Sequence, residues 1–180
     1  MVTENQADRD RRTDLNGSPQ RLLWILTLIP LFLFVCCTVA YLMMRSELPT
    51  TIAIHVGPDG FGFGSMQTTA LIQLGLGLVM LSFGTRYVLN RLRIGYWYMA
   101  EKTVGASFIS IGYSSLVALL VLIMGVWGQT DQVAQEGAFT RSILGFALTL
   151  ILSMAIHALV LPPVRNFEIE DSATEQPQQG

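Results

Sequence analysis

The sequence predicts an all-α membrane protein with four transmembrane helices. Two observations carry that prediction. Four long stretches contain no charged side chain, and the positive charges of the segments between them alternate sides. A third feature, a short Gly- and Pro-rich segment after the first stretch, predicts an ordered loop between the first two helices.

The stretches are best bounded at Leu22–Met44, Met66–Thr85, Val104–Gly128 and Ser142–Val164. A helix needs roughly 20 apolar residues to cross a hydrocarbon core ~30 Å thick, and each stretch has about that length. Lipid offers the backbone no hydrogen-bond partner, so such spans are helices and not open strands. Four buried helices of a soluble bundle would each need a polar stripe that water can solvate, and these stretches contain no charged residue to make one. The chain then divides into a polar tail at 1–21, a membrane domain at 22–164 and an acidic tail at 165–180. Within the domain, an outer loop at 45–65 and a cytoplasmic loop at 86–103 join the helices.

Lys and Arg set the orientation. Arg9, Arg11, Arg12 and Arg21 lie in the first segment, Arg86, Arg91, Arg93 and Lys102 in the middle loop, and Arg165 in the tail. Arg45 and Arg141 stand on the other side. Nine of the 11 cations therefore put both termini and the middle loop in the cytoplasm. Trp24, Tyr41 and Trp127 are spaced to reach the membrane interfaces, and Tyr96, Trp97 and Tyr98 make an interfacial anchor in the middle loop. The first apolar run is too long for a cleaved signal peptide, whose core is usually ~7–15 residues, so it reads as a retained helix. Membrane lipid is thus one expected partner.

Composition excludes several functions. A formal net charge of -2 argues against nucleic acid. Cys36 and Cys37 are adjacent and sit mid-span, where they can form neither a disulfide framework nor a metal pair. Catalytic triads and phosphate-binding glycine loops are absent, and no cofactor is expected. Very little chain lies outside the bilayer, so the expectation is a protein that is not an enzyme.

Between the first two helices, residues 48–66 read LPTTIAIHVGPDGFGFGSM. Pro49 and Pro58 restrict the backbone, and Gly57, Gly60, Gly62 and Gly64 permit tight turns. Thr50–Val56 is a short extended stretch of branched residues, and Pro58-Asp59-Gly60 forms a turn. His55 and Asp59, with Glu47 and Glu136 able to approach, are weak candidate zinc ligands; hydrogen bonding within the loop is the other role for His55.

This segment resembles a domain of unknown function in bacterial multi-span membrane proteins, the family that includes the SdpI-type immunity proteins. The matching positions are Leu48, Pro49, Ile52, His55, Gly60, Gly64 and Ser65. The turn departs from the family's by being about two residues shorter, with Gly62, Phe63 and Met66 where Asp, Trp and Lys are usual. The resemblance implies a bacterial plasma-membrane protein of the same topology, protecting against a peptide toxin or signalling through a protein partner.

Polar residues within the spans fall on faces. Helix four carries Gly145, Thr149, Ser153 and His157 at steps of four; helix two carries Thr69, Gln73, Gly77, Met80 and Gly84; helix three carries Ser107, Ser110, Ser114 and Ala118. Such stripes allow close helix approach and interhelical hydrogen bonds. Pro30 should kink or loosen helix one. His157 is either a proton gate or substrate contact near Gln73, or a neutral histidine bonded to a facing Ser or Gln.

The expected function is a non-enzymatic binding or regulatory module, immunity- or signalling-like, that meets a protein partner through its outer loop. An accessory subunit of a larger membrane complex, such as a respiratory electron-transfer assembly, is the alternative. A small transporter is the third reading and would need a homo-oligomer.

Overall fold

The structure is a computed structural model, and it describes residues 19–94, 98–129 and 132–161. It is mostly helical, with one β-hairpin. The order is α1 (Pro19–Met44), β1 (Thr51–Gly57), β2 (Gly60–Ser65), α2 (Met66–Ile94), α3 (Met99–Val126) and α4 (Gln132–Val160). All four helices are long and apolar enough to cross a membrane. Residues 19–21 of the first tail belong to α1, while the rest of that tail, residues 162–180 and the aromatic pair Tyr96 and Trp97 lie outside the described residues.

The helices outrun the apolar stretches that announce them. Helix α2 continues nine residues past Thr85, carrying Arg86, Arg91 and Arg93, and α3 begins at Met99 and includes Lys102. Residues 86–103, expected as a loop, are therefore largely helical. Charge marks where a helix leaves lipid, and it does not stop the backbone hydrogen-bond ladder. Arg91 closes this end with a 3.0 Å ion pair to Glu101. Glu101 also accepts the Tyr98 backbone N–H at 3.2 Å, capping the first turn of α3.

Helix α3 is the hub: α2 and α4 pack along it, while α1 lies against α2 and α3. The α2–α3 seam is built from glycines seven residues apart on each helix, each filled by a large side chain of the other. Gly77 receives Leu116 and Gly84 receives Ile109, while Gly105 receives Val88 and Gly112 receives Leu81. Lipid tails are as apolar as these side chains, so close van der Waals packing holds such a seam together. On the other side of α3, Gly125 meets Ala138, and Ser142 Oγ donates to the Ala118 carbonyl at 2.8 Å. The outward face of α4 exposes large apolar side chains, among them Leu148, Ile151 and Leu159.

Pro30 lies inside α1, which runs on as one helix. Proline has no N–H, so the carbonyl four residues earlier, Leu26, loses its helical donor. Thr85 Oγ1 of α2 donates to that carbonyl at 3.0 Å. A side chain from a neighbouring helix thus satisfies the freed group, as lipid-embedded backbone requires.

Candidate functional site

The hairpin closes one end of the bundle. β1 and β2 pair antiparallel from Thr51↔Ser65 to Gly57↔Gly60, joined by Pro58 and Asp59. Only Gly60 among its glycines has a positive φ, +108°, which an L side chain rarely adopts. Gly62 and Gly64, expected in tight turns, are strand residues instead. Their missing side chains make room across the strands: the His55 ring covers Gly62, and Ile54 Cδ1 covers Gly64. Register slips between Ala53 and His55, and a bulge there re-aims the side chains that follow.

Several contacts fix the hairpin to the helices. Ile52 and Ala53 are fully buried. Phe61 packs edge-on against Phe139 of α4, ring centres 6.1 Å apart. Trp127 Nε1, at the end of α3, donates to the Glu47 carboxylate. Ser65 Oγ accepts the Thr68 backbone N–H at 3.3 Å and so caps α2, while Met66 N donates to the Thr50 carbonyl at 3.1 Å. These contacts leave Val56 62% exposed, with Ile54 and Phe63 each 40% exposed.

Most positions of the sequence motif therefore have a structural use. Ile52 and half-buried Leu48 anchor, Gly60 turns, Gly64 admits Ile54, and Ser65 caps. Pro49 lines a small cleft beside Tyr41 and Arg45. His55 is exposed on the strand, and Asp59 stands in the turn. Glu47 is engaged by Trp127. Among the described residues no group of three or more His, Cys, Asp or Glu could hold a metal ion.

Within the helices, the small-residue stripes face inward. Gly77, Gly84, Ser110, Ser114, Ala118, Ser153 and His157 are buried, and Gly145 and Thr149 are half-buried. Gln73 and His157 are not brought together. The Gln73 carbonyl accepts Ser115 Oγ at 3.1 Å, toward the hairpin end of α3. At the opposite end of α3, Lys102 donates to the Leu161 carbonyl at 3.0 Å.

His157 Nδ1 instead lies 2.7 Å from the carbonyl of Ser153, one turn back, and 3.2 Å from its hydroxyl. The Tyr113 ring sits 5.9 Å away. This is a histidine satisfied on its own helix. Gln73 Oε1 and Ser110 Oγ are the buried side-chain oxygens without a partner among the described residues. Cys36 is exposed and Cys37 buried; both are free thiols.

No protein-family model matches the chain, and no curated protein or solved structure matches it either. None of these comparisons supports the resemblance to SdpI-type proteins suggested by the segment Leu48–Ser65.

Proposed function

We propose that this chain is a non-enzymatic binding or regulatory module of a bacterial plasma membrane. In this reading both termini are cytoplasmic, and the hairpin faces outward to engage a protein partner. The carrying observation is that the hairpin is fixed to the helices by several contacts yet keeps Ile54, Val56 and Phe63 exposed. A pre-organised apolar surface loses little conformational entropy on binding. A two-stranded sheet also leaves strand edges to which a partner peptide can add a strand. The excess of Lys and Arg at the other ends of the helices supports the orientation, and the motif likeness supports an immunity- or signalling-like role with a secreted peptide as partner.

A photoreactive amino acid replacing Val56 in living cells tests this reading. A discrete protein or peptide adduct at Val56, weakened by His55→Ala and absent when the probe replaces Leu148 on α4, is the expected result. Equal adducts at both positions, or none at Val56, Ile54 and Phe63, would discard it.

A further inference from the structure

At the end of the bundle away from the hairpin, α1 and α2 line a groove of ≈ 690 Å³. Its α2 wall changes character in order. Leu78, Ser82, Arg86, Asn90 and Arg93 line it at steps of four, four, four and three, which places them on one helix face. The α1 wall opposite is apolar, with Leu26, Pro30 and Phe34 at steps of four. The groove therefore runs from a hydrocarbon floor to a cationic mouth.

The helix length puts that mouth at the membrane surface. Helix α2 has 29 residues, so it is about 43 Å long. Counted from Met66, a ~30 Å hydrocarbon core ends near Arg86, leaving Asn90 and Arg93 among the headgroups. Arg86 and Arg93 are exposed, and neither has an ion-pair partner among the described residues. Arg91, on another face, is held by Glu101.

We propose that this groove is a lipid site that takes one acyl chain of an anionic glycerophospholipid and holds its phosphate between Arg86 and Arg93. Each half of the groove fits one half of that molecule. The stretch from Leu78 to Arg86 rises about 12 Å, which takes the upper part of an acyl chain below a phosphate held between Arg86 and Arg93. Guanidinium groups bind phosphate oxygens by paired, charge-assisted hydrogen bonds. A soluble anion would have no use for the apolar limb, and a neutral apolar molecule none for the arginines. Basic pockets between transmembrane helices select anionic headgroups by this chemistry. The proposal stands apart from any partner at the hairpin.

The test is native mass spectrometry of the full chain, delipidated in mild detergent and offered equal phosphatidylglycerol and phosphatidylcholine. One phosphatidylglycerol should be retained per chain in preference to phosphatidylcholine. Its retention should fall roughly fivefold for each of Arg86→Gln and Arg93→Gln. Ser82→Phe keeps both arginines and obstructs the apolar limb, so it should lose either lipid. Arg141→Gln, outside the groove, should change nothing. Equal retention of the two lipids would overturn the proposal, as would indifference to the arginine variants. So would displacement by millimolar inorganic phosphate, or a dimer in the same spectra that excludes lipid.

Discussion

Thr85 on α2 hydrogen-bonds the carbonyl of Leu26 on α1, the one carbonyl that Pro30 deprives of its helical donor. The pair explains how a proline is carried in mid-span without an orphaned backbone group. Thr85→Val removes the donor at nearly constant volume and should lower stability by about 1 kcal/mol. Pro30→Ala restores an N–H for Leu26, so adding Thr85→Val to that background should cost much less. Reversible unfolding in mixed micelles of the two single variants and the double variant measures this coupling. Additive costs would mean that Thr85 does not serve the freed carbonyl.

The α2–α3 seam makes a second prediction. A Cβ on Gly84 would lie 2.9 Å from the backbone nitrogen of Ile109, which cannot rotate away. A Cβ on Gly75 would meet nothing within 4 Å. Gly84→Ala should therefore destabilise the bundle by about 1–3 kcal/mol through overpacking, while Gly75→Ala should be neutral or slightly stabilising. The same micelle unfolding reads both, and equal effects would contradict the glycine seam.

Within the hairpin, Gly60 and Gly62 differ in kind. Gly60 has φ +108°, so Gly60→Ala strains the turn whatever space surrounds it, at a cost of about 1–3 kcal/mol. A Cβ on Gly62 would lie 1.9 Å from His55 Cε1, but that ring can swing away. Gly62→Ala should move the histidine and cost less than about 1 kcal/mol, within the range of tolerated changes. Hydrogen exchange across Thr51–Ser65 should show much faster opening in Gly60→Ala than in Gly62→Ala. The reverse order would place the strained residue elsewhere.

These residues also show what the amino-acid pattern discloses. Four spans were legible because a lipid-facing helix must be apolar over its whole length, and the inward stripes on α2, α3 and α4 were legible as small residues at steps of three and four. Pro30 could be read as a weak point, but its remedy could not, since Thr85 lies 59 residues away. Gly105 and Gly112 share the seven-residue spacing of Gly77 and Gly84, but spacing alone does not say that the two pairs face each other. In the hairpin, Gly62 and Gly64 looked like turn residues because glycine signals backbone freedom equally with space for a cross-strand neighbour. The extent of α2 beyond Thr85 was hidden because arginine is as good a helix former as it is a span terminator. Polarity alone suggests a Gln73–His157 pair, whereas the partners each finds, Ser115 and Ser153, depend on how the helices pack.

The proposed topology puts the hairpin outside the cell and the start of α3 inside. In a Cys36→Ser, Cys37→Ala background, Asp59→Cys and Met99→Cys place single thiols at the hairpin turn and at the start of α3. A membrane-impermeant maleimide added to intact cells should label Asp59→Cys and leave Met99→Cys untouched until the membrane is permeabilised. Labelling of Met99→Cys in intact cells, with Asp59→Cys protected, would invert the topology and remove the hairpin from any extracellular partner.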